Sequence, residues 1–431
     1  MAKKPGDTPK KTAKAAPARG KKTAPGPAAA TVDALRARID PGWARSAAAQ
    51  AIPANDAPAR SGRPFAIDDL YAYALPGEPV VSPDGTRAVT AVTTIDKEAN
   101  EYRSALWLVP LSLDGSGSPR KLTAGKASDS SPRWSPDGMK IAFISTRDDK
   151  KPQLFVLPVD GGEAIQITTL KNGAGNPAWA PDSRRIAITS GVASRVNPEG
   201  ASDEQEADAS DVKVITSARY KFDGRGFLED KVSHIFTVDT ETPDADPVQL
   251  TSGPFNHQSP AWSPAGHEIA FAANRDEGWD MSAACDIWTI PASGGEPRRL
   301  TTGGEFHNPV WSPDGTHLAF TGTADVPPIV ANQQLWTCIA TGEGLRSLSA
   351  GIDRSIGDSS MSSPGAGIST PPLAWTPDGS AVDALVGDRG STVVVRFPLH
   401  NHDHSTARRP SFRRRAATSA PSHTREAIAW S

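Results

Sequence analysis

Short β-forming runs, each closed by turn residues, recur along most of the chain. One stretch shows the unit. Residues 131–134 (SPRW) read as a short strand, and Pro136-Asp137-Gly138 makes a turn. In such a turn Pro presets φ, Asp bonds its own backbone, and Gly takes a positive φ without strain. Residues 140–145 (KIAFIS) are rich in β-formers and predict a buried strand. A charged loop over 146–151 follows, then a third strand over 153–159 (QLFVLPV). A turn at Asp160-Gly161-Gly162 leads to a fourth, outer strand over 164–168. The order returns over 311–321, 334–339 and 345–348, and over 262–272, 286–290 and 297–301. Such a sheet cannot cover both of its faces alone; stacking against neighbours supplies the missing cover.

The turn belongs to a recurring pentapeptide. Trp134-Ser135-Pro136-Asp137-Gly138 and Trp311-Ser312-Pro313-Asp314-Gly315 are clean copies. Val81-Ser82-Pro83-Asp84-Gly85, Trp179-Ala180-Pro181-Asp182-Ser183, Trp262-Ser263-Pro264-Ala265-Gly266 and Trp375-Thr376-Pro377-Asp378-Gly379 are degenerate ones. Their first residues are 53, 45, 83, 49 and 64 apart. A period of roughly 40–50 residues predicts propeller blades of four strands. The expected fold is therefore an all-β β-propeller with about six recognisable four-stranded blades, an incomplete seven-bladed ring, and disordered termini. Trp134, Trp179, Trp262, Trp311 and Trp375 are expected as buried packing anchors at one blade position. Asp137-Gly138 and Asp314-Gly315 are their turn partners. The aspartates at 84, 137, 182, 314 and 378 are read as turn formers, not as a catalytic set.

Organisation follows from the limits of the repeats. Residues 1–62 form a Lys/Ala/Pro-rich extension and linker, with seven lysines and one arginine in the first 30 positions. Such a composition predicts disorder, with a short helix possible over 31–50. The propeller is expected over 63–399, with Asp68 and Asp69 suited to a helix N-terminus at its start. The 83-residue spacing holds a stretch, 198–211, with six acidic residues, read as a surface loop. It lacks the Asp-x-Asp-x-Asp-Gly pattern of a calcium loop. Residues 400–431 carry six arginines, four histidines and two acids, with no blade pattern. This tail is expected to be out of register with an ancestral gene, as after a frameshift. His400, His402 and His404 offer alternate imidazoles that suit zinc or nickel. Without an ordered second shell, a plain tail is the preferred reading.

Composition narrows the class. The chain has 431 residues, 37% hydrophobic and 22% charged, with net charge −3, so nucleic acid is not an expected partner. Cys285 and Cys338 are two cysteines in different blades, expected in the core and not as a disulfide framework. No signal peptide and no 18-residue apolar run is visible, so no membrane association and a cytoplasmic location are expected. No metal or other cofactor is expected.

The repeats resemble those of the propellers of prolyl oligopeptidase family serine peptidases and of the TolB protein. Two features favour the peptidases. Arg219-Tyr220-Lys221-Phe222-Asp223-Gly224-Arg225-Gly226-Phe227, followed by Ser233-His234-Ile235-Phe236-Thr237-Val238-Asp239, is similar to a third-blade segment of acylaminoacyl-peptidase-like members. Asp68-Asp69-Leu70 ahead of Val81 resembles the way those members open. In that family the propeller is joined to an α/β-hydrolase domain with a Gly-x-Ser-x-Gly elbow, and it gates access for short peptides. The sequence contains no Gly-x-Ser-x-Gly, so no catalytic residue carries over. Ser359, Ser360 and Ser363 lack the strand–turn–helix setting of a nucleophile.

The resemblance thus implies the substrate-gating propeller of a dipeptidyl- or acylaminoacyl-peptidase-like enzyme, truncated before its catalytic domain and inactive alone. Its partner would be a peptide substrate. Arg219, Tyr220 and Arg225 are the substrate-facing candidates, since an Arg fork suits a carboxylate. The plainer alternative is that they close the third-blade insertion against its neighbour. The other function class is a stand-alone TolB-like propeller that binds proteins on exposed blade faces.

Overall fold

The computed structural model describes residue 64 and residues 66–399, except 112–116, 148–150, 194–214, 216, 223–225, 229–230, 244, 325–330, 358–372 and 389–390. The tails at 1–62 and 400–431, the 31–50 helix and the 198–211 loop lie outside the described residues, as do Arg225, Ser359, Ser360, Ser363 and the three tail histidines.

Six antiparallel sheets follow one another in sequence, giving the β-propeller that the repeat predicts. A 3-10 helix, Ile67–Ala72, precedes them, with Asp69 Oδ2 accepting the Ala66 N–H at 2.8 Å. Blade 1 contains β1 (Ala74–Pro76), β2 (Val80–Val81), β3 (Arg87–Asp96), β4 (Glu101–Pro110) and β5 (Arg120–Lys121). Blade 2 contains β6 (Asp129–Trp134), β7 (Lys140–Ser145), β8 (Gln153–Pro158) and β9 (Ile165–Gln166). In blade 3, β10 (Gly175–Trp179) and β11 (Arg185–Ala193) are followed by a separate hairpin, β12 (Lys221–Phe222) and β13 (Gly226–Phe227). The blade then resumes with β14 (Lys231–Asp239) and β15 (Val248–Gln249). Blade 4 has β16 (His257–Trp262), β17 (Glu268–Ala273), β18 (Asp286–Pro291) and β19 (Arg298–Arg299). Blade 5 has β20 (Gly304–Trp311), β21 (His317–Ala324), β22 (Gln334–Ile339) and β23 (Arg346–Ser347). Blade 6 has three strands among the described residues, β24 (Ala374–Trp375), β25 (Ala381–Asp388) and β26 (Ser391–Pro398).

Adjacent blades share apolar layers. Ala142, Ile144, Leu154 and Val156 of blade 2 meet Ile186, Ile188, Phe236 and Val238 of blade 3, and the same arrangement repeats from blade 1 to blade 6. Cys285 and Cys338 are free and buried within one such layer. Both thiols are pushed up to about 12, by burial first.

The outer strands are shorter than the 164–168 reading. Each is two residues long because a hydroxyl ends it. Thr123, Thr168, Thr251, Thr301 and Ser349 place their side-chain oxygens where the next backbone carbonyl would lie. These accept the N–H groups of Leu106, Leu154, Ile235, Ile287 and Leu335 at 2.9–3.0 Å. Short outer strands leave little open edge for mispairing.

The first strands of blades 2 to 5 each carry a bulge three residues before Trp. Ser131, Asn176, Ser259 and Asn308 take φ of 52°, 49°, 53° and 56°, each followed by a proline. The register shifts there in all four strands. The uneven repeat spacing also has a structural origin. Blade 3 is lengthened between β11 and β14, where hairpin β12–β13 sits. In blade 6 the first strand is split: Ile356 bridges Val386 as Phe306 pairs with Gly322 in blade 5, and the chain returns to pair at Ala374–Trp375.

Candidate functional site

The repeated pentapeptides form one belt. Each indole Nε1 donates to a backbone carbonyl of the preceding blade: Trp134 to Val80, Trp179 to Arg133, Trp262 to Ala178, Trp311 to Ala261, and Trp375 to Val310, at 2.9–3.2 Å. The acceptor is always the residue before the preceding repeat's Trp or Val. Trp134 and Trp262 are buried; Trp179, Trp311 and Trp375 are half-buried.

Within each turn the carboxylate is consumed locally. Asp137 Oδ1 accepts from Ser135 Oγ at 2.5 Å and from the Met139 N–H at 3.0 Å, while Gly138 takes φ of 72°. Asp314 accepts from Ser312 Oγ at 2.6 Å and the Thr316 N–H at 3.0 Å. Hydrogen bonds, the Ser82, Ser312 and Thr376 hydroxyls first, hold Asp84, Asp314 and Asp378 down to about 2. Blade 4 has Ala265 in place of Asp, and there Ser263 Oγ alone accepts the His267 and Glu268 N–H groups. In blade 3 Ser183 replaces Gly at φ 56°, and its Oγ accepts the Asp137 N–H of blade 2. These aspartates are partners of turns. Among the described residues no group of three or more His, Cys, Asp or Glu is placed to hold a metal ion.

The opposite end is built from the second-to-third strand connections and the entries into each first strand. Here residues 217–219 dock on the corresponding connection of blade 4. Asp280 Oδ2 accepts the Ala218 N–H at 2.8 Å and Ser217 Oγ at 3.3 Å. Arg219 donates to the Ser282 carbonyl, and Tyr220 stacks at 6.2 Å from Phe227. Arg219 therefore touches the neighbouring blade, while the Tyr220 ring remains 44% exposed.

Between blades 3 and 4 lies a buried polar cluster absent from the sequence reading. His257 Nε2 lies 2.9 Å from Arg275 Nη1, and its Nδ1 lies 3.2 Å from the Ser233 carbonyl. An arginine only donates, so Nε2 accepts and Nδ1 carries the proton. Burial, with His234 and Arg275 adding to it, pushes His257 down to about 3. The Arg275 guanidinium stands 5.3 Å from both the Phe255 and the Trp288 rings. Its neighbour Arg299 joins Asp276 at 2.8 Å and also Asp286, whose carboxyl burial raises.

At this same end a cavity of about 290 Å³ opens between blades 4, 5 and 6. Its polar wall holds Gln258, Ser259, His307, Asn308, Thr321 and Gln333, and its apolar wall includes Ile356, Leu373 and Leu385. Ser259 Oγ donates to Asn308 Oδ1 at 3.0 Å, which fixes the bulge residues of two blades against each other. His307 sits 3.5 Å from Glu305, and burial lowers its pKa against that carboxylate. Arg219 and Tyr220 do not line the cavity. The cavity residues come from three repeats and share no motif; only the Ser/Asn-Pro pairs ahead of each Trp mark its inner strands in sequence.

Comparison with known proteins agrees with this architecture. The TolB beta propeller domain family matches residues 73–223. The chain is 29% identical over 227 residues to the uncharacterized peptidase YuxL of Bacillus subtilis (strain 168), covering 52% of this chain and 33% of that protein. It is 25% identical over 252 residues to dipeptidyl-peptidase 5 of Porphyromonas endodontalis, covering 56% and 36%. The acylaminoacyl peptidase of Pyrococcus horikoshii superposes with a TM-score of 0.56 at 18% identity, covering 76% of this chain and 45% of that one, a likeness of fold. The chain is thus similar to a TolB beta propeller domain over residues 73–223, within a β-propeller fold. Both of these curated relatives bear peptidase names, and the chain spans about a third of their length. Among the described residues no helix is long and apolar enough to cross a membrane.

Proposed function

We propose that this propeller serves a serine peptidase of the prolyl oligopeptidase family, admitting short peptides to an α/β-hydrolase active site and holding back longer chains. The carrying observation is that similarity to two curated peptidases falls on the propeller. The cavity end supports it. Gln258 and Gln333 present carboxamides, which both donate and accept, beside an apolar wall, a combination that suits a peptide group and an uncharged side chain. Arg219 and Tyr220 belong to the same end; with Arg225, which lies outside the described residues, they are the proposed contacts for a peptide carboxylate or carbonyl.

The chain alone should not cleave peptides, because its sequence has no Gly-x-Ser-x-Gly and no described segment presents a serine on a strand-to-helix elbow with base and oxyanion site. The test uses the full chain and a chimera in which residues 66–399 replace the matched segment of the Bacillus subtilis relative. The chain should show no fluorophosphonate labelling. The chimera should be labelled, cleave acetyl-alanyl chromogenic peptides and spare an unfolded protein substrate. Labelling of the chain, or a labelled chimera that digests the long substrate or no peptide at all, would overturn the reading. The match to the TolB beta propeller domain favours a second reading, a protein-binding scaffold. A labelled, unselective chimera would point to it.

A further inference from the structure

Aligning the six blades on the partner of each repeat's first residue exposes one exception. One position beyond that partner, the second and third strands bring two side chains to the face that meets the next blade. These pairs are Val89–Leu108, Ala142–Val156, Ala187–Thr237, Ala270–Thr289 and Ala319–Thr337 in blades 1 to 5. The first member of every pair is fully buried. In blade 6 the same register holds Asp383 and Arg396. They form a two-pronged ion pair, Nε to Oδ1 and Nη2 to Oδ2, both at 2.7 Å. Two residues before the third-strand member lies an aliphatic column: Leu106, Leu154, Ile235, Ile287 and Leu335, all 0% exposed. Its sixth member, Val394, is 55% exposed.

An apolar sheet is a poor cover for this face. The surfaces that blades 2 to 6 turn toward their predecessors are built from residues such as Ile141, Phe143, Ile269 and Phe320. Pressed on Asp383 and Arg396, such a surface would strip water from both charges and return no hydrogen bond. A fitting partner brings an opposite pair of charges. A two-fold axis supplies one, because an isologous contact sets a patch against its own inverted image. Adjacent plus and minus charges are then self-complementary.

We propose that two copies of this chain associate through the open face of blade 6, with Asp383 of each copy set against Arg396 of the other and Val394 packed beside them. Each carboxylate then has two guanidinium neighbours, and each guanidinium two carboxylates. The contact does not depend on the peptidase reading.

Sedimentation velocity of the full chain, from micromolar to hundreds of micromolar, reads the association directly. Wild type should pass from monomer to dimer, and added salt should shift the transition to higher concentration. Asp383→Arg and Arg396→Asp should each be monomeric, because each sets like charges against like. Circular dichroism checks that both remain folded. An equimolar mixture of the two variants should recover the dimer, since one brings only arginines and the other only acids to the two positions. A monomeric wild type over the whole range, a dimer unaffected by either reversal, or a mixture that stays monomeric would overturn the proposal.

Discussion

The tryptophan of each repeat packs its ring between sheets and donates its indole N–H to the preceding blade, so two contributions separate by substitution. Trp311→Phe keeps most of the ring but leaves the Ala261 carbonyl without its donor, which should cost about 1–2 kcal/mol. Trp311→Ala also removes the ring, and about 3 kcal/mol is expected for this half-buried side chain. Denaturant melts of the two variants check the order; equal losses would mean that the ring itself contributes nothing. The turn aspartates give the belt an acid limit. Asp84, Asp314 and Asp378 titrate at about 2 in the folded chain, against about 3.9 in an unfolded one. Their folded pKa is depressed, so their contribution is complete above about pH 4 and is lost as pH falls through about 2. Asp314→Asn should flatten the loss of stability across that window, measured as melting temperature against pH. His257 acts in a separate range. Its pKa of about 3 lies below the ordinary histidine value, so its contribution is present above about pH 6.5 and declines as pH falls toward 3.

At the scale of elements, the strands and turns were legible because their signals are local. Pro-Asp-Gly makes its turn within five residues, and KIAFIS is a continuous run of β-formers, as a strand buried on both faces must be. The outer strands were overdrawn because their ends are set by hydroxyls bonding backbone 14–17 residues away. The recurring Leu-Thr or Leu-Ser pairs, Leu122-Thr123, Leu250-Thr251, Leu300-Thr301 and Leu348-Ser349, are the signal that could have found them. Hairpin β12–β13 was visible as a motif but not as a docked element, since Asp280 holds Ala218 from 62 residues away. The cavity was illegible for the same reason: Gln258, Gln333 and Leu385 meet only when three blades close on one another. The docking is open to test. Asp280→Ala removes the acceptor of both Ala218 N–H and Ser217 Oγ. Amide exchange over 217–222 should then rise, while global stability changes by about 1 kcal/mol or less, as for an exposed hydrogen-bonded contact. Unchanged exchange there would show that Arg219 and the Tyr220–Phe227 contact suffice to hold the segment.

Across the whole propeller, stability is a chain of neighbour contacts. Five apolar layers join six blades, so blades 2 to 5 each contribute to two layers. Blade 6 contributes to the one it shares with blade 5, through Val382, Ala384, Val395 and Phe397. It also has no fourth strand among the described residues, so the β26 edge lacks the cover that β23 gives β22. In an array of this kind, an element with one interface opens at lower free energy than one with two. Native-state hydrogen exchange should therefore show β25 and β26 amides exchanging ahead of those in β11 and β17, through a sub-global opening of blade 6. Association adds a second expectation. If the open face of blade 6 is covered by another copy, binding stabilises only the closed form, and protection of β25 and β26 rises with protein concentration by mass action. Blades 3 and 4 should not share that dependence, and Arg396→Asp should abolish it. Exchange that is uniform across blades would show a single cooperative ring. Early exchange in blade 6 that ignores concentration would keep the neighbour-contact picture and remove the second copy from it.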